Sequence, residues 1–386
     1  MKVTLVTTSY PLRKGLVSGV FVKKLVEQLK IYMDVTVVTP EDDLGVTDAD
    51  VKSAWYAPQK LQLLAHRPGG IPVALKNEPW TWFLLPSLIV SLFFQCVLQC
   101  RDKDAIIANW SINGVIAGFS AKLFKIPLVT VLRGSDVSSD KEGKKKGIAL
   151  SVAVQLSTKV VCVSEAFYHE MICAYDKHKD KFIMIPNGIG SEFLDIKNKN
   201  DQSAVVLTTV GNLNAKKGVH LLIEACRELH DKGLPVVLNI VGDGPDKQRL
   251  IDLSVSLNLS DYVNFMGVVM HNDIPILLER TNIFVFASFS EGRANVLLEA
   301  MAAGLPIVAS DIVANRELIT HDENGYLFKT GDSADLAKNI EVVARSVPLK
   351  RRLAAAAREH IIKNGLSWSA TGVKYKALIE SCVEQR

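Results

Sequence analysis

Two glutamates, Glu291 and Glu299, bracket seven residues in the stretch Ser288-Phe289-Ser290-Glu291-Gly292-Arg293-Ala294-Asn295-Val296-Leu297-Leu298-Glu299-Ala300-Met301-Ala302-Ala303-Gly304-Leu305-Pro306. An apolar β-branched run, Ile283 to Ala287, precedes it, and Gly304-Leu305-Pro306 stops a helix. Glu291 therefore falls in the loop before that helix and Glu299 about one turn inside it, with Val296, Ala300 and Ala303 as the apolar stripe. One acid can meet a group beyond the helix tip, the other a group beside its first turn. Acids at that end also suit the helix dipole with no ligand present.

The other candidates lie where strands pass into helices. Val210-Gly211-Asn212-Leu213-Asn214-Ala215-Lys216-Lys217-Gly218 ends one apolar run and opens a helix at Val219. A lysine there opposes the helix dipole, so Lys217 calls for an anion and is the phosphate candidate. The loop from Thr8 to Val20 carries Arg13, Lys14, Gly15 and Gly19, and Gly19 at the helix opening lets backbone approach an oxyanion closely. Arg133-Gly134-Ser135-Asp136 places a cation and a carboxylate three residues apart after another strand, as reactive groups or as an ion pair that ties down the loop. Val241-Gly242-Asp243-Gly244-Pro245-Asp246 resembles a dinucleotide signature but has Lys247 at the third glycine, so it reads as a tight turn with Pro245 opening the next helix. The pairs Asp48/Asp50 and Asp102/Asp104 have a metal-ligating spacing but lie in a polar loop and just ahead of a strand, and read as surface charge.

The elements that position these residues follow from the pattern of apolar runs. Val3 to Thr8, Val35 to Thr39, Ala105 to Ala108, Leu128 to Leu132 and Val160 to Val163 are continuous enough for a parallel sheet covered on both faces. Helical patterns alternate with them, as in Val20 to Lys30. A second series comprises Val205 to Val210, Val236 to Val241, Val263 to Met266, Ile283 to Ala287, Ile307 to Ala309 and Tyr326 to Phe328. Between the two series, Lys197-Asn198-Lys199-Asn200-Asp201-Gln202-Ser203 holds no apolar side chain and marks a boundary. The expected fold class is α/β, with two Rossmann-like domains, 1–190 and 203–369, facing across a cleft and a C-terminal helix, 370–386, packing back on the first.

At 386 residues, 48% hydrophobic and 22% charged, the chain is long for a single core. A formal charge of +4 is too small to wrap nucleic acid, and its basic excess falls in the first half, which includes Lys144-Lys145-Lys146. The six cysteines make no Cys-x-x-Cys pair, which argues for reduced thiols in a cytosolic compartment and against a structural zinc site. The N-terminus lacks the apolar run of a secretory signal. Pro79 to Cys100 is uncharged and long enough to span a bilayer, but Pro86, Ser87, Ser91, Gln95 and Gln99 interrupt it; a buried or half-buried helix is expected, ahead of an interfacial one.

Taken together, Glu291 through Pro306 with Gly211-Asn212-Leu213, Lys217-Gly218, Pro186-Asn187-Gly188, Val241 to Pro245 and Arg133 to Asp136 resemble the retaining glycosyltransferase family 4, of the GT-B fold, over nearly the whole chain. The resemblance implies transfer of a sugar, with retention, from a nucleoside-diphosphate sugar to a glycan or lipid-linked acceptor, with no metal or other cofactor. It implies that Lys217 holds the diphosphate, Glu299 the ribose hydroxyls and Glu291 the donor sugar. Asn295 and Val296 would offer backbone N–H groups, and Gly19 a phosphate contact from the first domain. Catalytic candidates are then Glu291, Arg133 and Asp136. The family often carries arginine where this chain has Asn212, so one cation is missing and Arg293 is the candidate to compensate; Arg133 replaces a frequent histidine. The turn Asp311 to Glu317 lacks a glycine pair often found there. A nucleotide-sugar epimerase or sugar phosphorylase on the same architecture, or a non-catalytic two-domain sugar-binding protein, are the alternatives. A lipid-linked acceptor would place the protein at the inner, anionic face of a membrane.

Overall fold

The computed structural model describes residues 1–12, 19–45, 48–65, 70–133, 147–196, 205–291 and 295–386. The chain divides into two units, Met1–Asn187 with Trp368–Arg386, and Gly188–Ser367. The polar stretch 197–203, taken as the boundary, lies outside the described residues, as does Lys144-Lys145-Lys146.

The first unit holds a parallel sheet of seven strands: β1 (Lys2–Val6), β2 (Asp34–Pro40), β3 (Val51–Ala54), β4 (Ala105–Asn109), β5 (Leu128–Leu132), β6 (Lys159–Cys162) and β7 (Phe182–Met184). They lie in the order β3-β2-β1-β4-β5-β6-β7. Val3 of β1 pairs with Val35 on one side and Ala105 on the other, so the chain reverses direction across the sheet between β1 and β4. Alternate side chains enter two cores. Val3 and Leu5 meet Val22, Leu25 and Leu29 of the helix Val20–Leu29 together with Tyr375, Ile379 and Cys382 of the C-terminal helix Trp368–Glu384. Val6, Ile106 and Ala108 face the helices Leu85–Cys100 and Ser111–Phe124 on the opposite side.

The apolar segment from Pro79 is a turn of 3-10 helix, Pro79–Leu84, followed by the helix Leu85–Cys100. Leu88, Leu92, Cys96 and Cys100, four residues apart, are buried on the sheet. Ser87, Ser91 and Gln95 have the same spacing, and their side chains donate to the backbone carbonyls of Tyr56, Trp55 and Ser53 at 2.8, 2.6 and 3.1 Å. The polar residues that interrupt the run thus satisfy the backbone at and just beyond β3. On the outward face Val90, Phe94 and Leu98 remain exposed. The helix is half-buried.

In the second unit the strands β8 (Val205–Val210), β9 (Val236–Val241), β10 (Val263–Gly267), β11 (Ile283–Phe286), β12 (Ile307–Ser310) and β13 (Tyr326–Phe328) form a parallel sheet ordered β10-β9-β8-β11-β12-β13. The direction reverses between β8 and β11. Leu207, Leu238, Ile240 and Val285 pack beneath the helices Val219–Asp231 and Ser333–Arg345, while Phe284, Phe286 and Ile307 pack beneath the helix Asn295–Ala302. Cys226, buried in the first of these cores, has its thiol pushed up to about 12 by desolvation. None of the six cysteines forms a disulfide, and five of them are buried.

The expected α/β class with two Rossmann-like parallel sheets is observed. The expectation omitted β3 and β7, the two edge strands of the first sheet. Each has one neighbour and is only four and three residues long respectively; β3, Val-Lys-Ser-Ala, also lacks an unbroken apolar run, while β7, Phe-Ile-Met, is apolar but very short.

Candidate active site

In open parallel sheets ligands bind beyond the carboxyl ends of the strands where the strand order reverses. In the second unit that point lies beyond β8 and β11, and the loops there carry Lys217 and Glu291. The 3-10 turn Ala215–Lys217 is closed by Asn214, whose side chain accepts from the Lys216 N–H. Gly218 follows at φ 60°, where a Cβ would stand 2.2 Å from the Ala287 carbonyl oxygen. Only glycine lets the two loops approach this closely. The Phe289 N–H donates to the Lys216 carbonyl at 2.8 Å, and the Ser310 hydroxyl holds the Ser288 carbonyl at 2.5 Å, so backbone fixes one loop on the other.

That framework brings Lys217 Nζ to 2.5 Å from Glu291 Oε1, which the Ser288 hydroxyl also reaches at 2.6 Å. The pair is three-quarters buried or more, with side chains 25% and 13% exposed, and Lys217 Nζ lies 5.5 Å from the Phe286 ring centroid. The dipole conflict at Lys217 is thereby offset by a carboxylate from a loop 74 residues away. Glu299 stands one turn inside the helix Asn295–Ala302, in the same chain segment as Glu291, and its Oε1 lies 3.0 Å from His271 Nε2. Asn295 and Val296 open that helix and are partly buried. Asn212 is exposed in the loop after β8. Arg293 lies outside the described residues.

The turn after β9 packs on this same loop. Gly242, at φ 132°, passes so close to the Gly211 carbonyl that a Cβ would stand 1.9 Å from its oxygen, and the Leu213 N–H donates to Asp243 at 2.9 Å. The glycines therefore serve backbone-to-backbone contact. Lys247 donates to Asp243 at 2.8 Å and holds its carboxyl below the usual range, with help from the Gly244 N–H. The next helix runs Lys247–Ser256, so Pro245 lies in the turn ahead of it instead of opening it.

In the first unit the reversal point lies beyond β1 and β4. Gly19 takes φ 78° where the helix Val20–Leu29 begins, and a Cβ would meet the Ser9 carbonyl oxygen at 2.5 Å. Arg133, after β5, is 8% exposed. Its Nη2 donates to Asn109 at 2.9 Å, its Nη1 to Asn187 at 3.2 Å, and its guanidinium carbon lies 4.0 Å from the Phe21 ring centroid and 5.7 Å from that of Trp110. Trp110 has φ 67°, an outlier for a bulky residue, held between β4 and the helix Ser111–Phe124. Burial raises the Tyr375 phenol well above its usual value, against a smaller opposing pull from Arg133. Asp136 lies outside the described residues.

The spacing rules singled out neither Ser288 nor His271, whose roles depend on loops distant in sequence. Asp50 pairs with Lys30 at 2.7 Å, and Asp104 accepts from the Lys2 backbone N–H at 2.6 Å, which accounts for one member of each Asp-x-Asp pair. Among the described residues no group of three or more His, Cys, Asp and Glu side chains is placed to hold a metal ion.

Residues 191–360 match the family of glycosyl transferases group 1, and residues 18–193 match Glycosyltransferase Family 4. The putative colanic acid biosynthesis glycosyltransferase WcaL of Escherichia coli K12 is 32% identical over 266 residues, 66% of this chain and 64% of that protein. The E. coli UDP-Gal:alpha-D-GlcNAc-diphosphoundecaprenol alpha-1,3-galactosyltransferase is 28% identical over 255 residues, 61% of this chain and 65% of its own. The chain thus spans just under two thirds of each of these two relatives. The crystal structure of Anabaena HepE in complex with UDP superposes with a TM-score of 0.74 at 21% identity, covering 99% of this chain and 100% of that one. With both units matched in sequence and the whole course of the chain matched in fold, the protein is a GT-B glycosyltransferase of family 4.

Proposed function

We propose that the protein transfers a sugar, with retention and without metal, from a nucleoside-diphosphate sugar to a glycan or lipid-linked acceptor in polysaccharide or glycoconjugate biosynthesis. The observation that carries this is Lys217, a cation at the carboxyl end of β8 that already holds a carboxylate at 2.5 Å. Departure of a nucleoside diphosphate from an anomeric carbon builds negative charge on the phosphate. A preorganised ammonium beside a helix N-terminus stabilises that charge most where it is greatest, in the transition state. In this reading the diphosphate takes Lys217 from Glu291, which turns to the donor sugar's hydroxyls. Glu299 holds the ribose, and the Asn295 and Val296 N–H groups meet phosphate or sugar. Gly19 is the phosphate candidate of the first unit. Arg133, clasped by Asn109, Asn187 and Phe21, and Asp136 are the catalytic candidates of the first unit.

UDP is the first nucleotide to assay, because one relative is named for a UDP-Gal donor and HepE carries UDP. At a hundred times its dissociation constant, UDP raises the stability of the native protein by about 2.7 kcal/mol. Thermal unfolding with UDP, GDP and ADP measures this, and a midpoint unmoved by all three would remove the nucleotide site. Turnover of the matching sugar nucleotide with a lipid-linked glycan, followed by the anomeric configuration of the product, then tests transfer and retention.

Contact with the cytoplasmic face of an anionic membrane is the second part of the proposal. Phe83, Phe94 and Leu98 are 87%, 60% and 69% exposed, and Phe119 and Leu123 of the neighbouring helix 55% and 63%, with the exposed Lys122 and Lys125 alongside. Apolar side chains flanked by cations suit an interfacial helix face. Co-sedimentation with vesicles is expected to rise with phosphatidylglycerol content and to fall in the variant carrying Phe94→Ser and Leu98→Ser. Equal recovery in the supernatant with and without vesicles sinks this part alone.

A further inference from the structure

We infer that His271 is a positioning residue for nucleotide recognition: it fixes the Glu299 carboxylate so that the acid meets the two ribose hydroxyls in one orientation. The inference rests on the reading of Glu299 as the ribose ligand and adds to it a group from a different part of the chain.

His271 begins the 3-10 turn His271–Asp273 that follows β10, while Glu299 belongs to the helix after β11. The imidazole is clamped before it reaches the acid. Its ring lies edge-on to Phe193, centroids 5.6 Å apart at 72°, and Phe193 is itself among the largest fully buried side chains of the second unit. From that position Nε2 lies 3.0 Å from Glu299 Oε1. A carboxylate accepts and does not donate, so Nε2 carries the proton and the neutral ring suffices.

A glutamate on a helix has three side-chain torsions, and a vicinal diol needs both hydroxyls met at once. Ionised Glu299 can accept about four hydrogen bonds. His271 uses one of them and leaves Oε2 and the remaining Oε1 lone pair for the diol. At 14% and 27% exposure the two side chains are enclosed enough to be held and open enough for a ligand to reach the acid. Holding the acceptor in place before the ligand arrives removes an ordering cost from binding, so the benefit is felt only by ligands that carry the hydroxyls.

The test is a comparison of ribose with its dideoxy analogue. Dissociation constants of the full-length protein are measured by calorimetry for UDP and 2′,3′-dideoxy-UDP, or for the GDP or ADP pair if one of those is the nucleotide bound. The wild type is expected to favour the ribonucleotide, and His271→Ala to weaken ribonucleotide binding about tenfold while leaving the dideoxy nucleotide unchanged. His271→Gln, whose side-chain amide can take the place of Nε2, is expected to restore most of the preference. An equal weakening of both nucleotides in His271→Ala, or a full preference that survives the substitution, overturns the role of His271. A wild type that binds both nucleotides equally, or binds none of the nucleotides tested, overturns the ribose reading of Glu299 and the inference with it.

Discussion

Lys217→Ala is expected to lower kcat/KM for the sugar nucleotide by about two to three orders of magnitude, the range found when a preorganised donor to a developing oxyanion is removed. Its Nζ is the ammonium that the fold directs to the end of β8 beside Glu291, and no other described cation is paired with that acid. The loss should appear in turnover more than in affinity, since the leaving diphosphate gains charge only as the bond breaks. Lys217→Arg should recover part of the rate, because charge is kept while the compact ammonium is replaced by a planar fork. Glu291→Gln provides the contrast: it leaves Lys217 in place and removes the acid that competes for it, so nucleotide affinity is retained or raised while turnover falls. Steady-state kinetics with the donor varied, beside calorimetric binding of the nucleotide product, separate the two. Wild-type turnover in Lys217→Ala would falsify the assignment of the phosphate site.

The largest effect on stability is expected at Gly242, where alanine adds a Cβ that meets the Gly211 carbonyl oxygen head-on at 1.9 Å while the backbone stands at φ 132°. The backbone conformation alone costs an alanine of order 1–3 kcal/mol. Forcing β8's loop away from β9's adds an overpacking cost of order 1–3 kcal/mol. For a unit of this size each kcal/mol lowers the midpoint by about 2–4 °C. Gly242→Ala should therefore unfold the second unit about 4–24 °C earlier in differential scanning calorimetry of the full chain. Gly233→Ala is the control: its φ of 71° carries backbone strain, but nothing lies within 4 Å of its Cβ. A midpoint no lower in Gly242→Ala than in that control would mean that the close backbone contact does not limit stability.

The β8 loop also shows what sequence can and cannot deliver. Lys217 was legible because its charge disagrees with its position, and such a conflict is visible in one dimension. The carboxylate that resolves it was legible as a candidate acid but not as its partner, because β8 and β11 are neighbours only through the crossover of the sheet. His271 had no such signal: a lone histidine in a polar turn looks like any other, and its value depends on Glu299 and Phe193 arriving from elsewhere. Arg133 was legible as a cation after a strand, while its amide and ring partners, Asn109, Asn187 and Phe21, come from three separate segments. The central strands were read from their apolar runs; the edge β3 was not, since an edge need not be apolar throughout, and β7 was not because three residues are too short a run to mark a strand. Asp136 and Arg293 fall outside the described residues, and their places in the site rest on the family resemblance.

Because Lys217 is already matched by Glu291, its charge is compensated from within the protein. Under the proposed function, a diphosphate that binds Lys217 displaces a tethered carboxylate instead of ions recruited from solution. The binding step is then a swap of one anion for another on the same ammonium, with the outgoing one retained by the protein. Added salt competes with such a swap less than it would with capture by a bare cation, and small inorganic anions gain little by entering. On that proposal lone anions are expected to bind Lys217 weakly, and the favoured ligand is one whose base, ribose and sugar supply contacts beyond its charge.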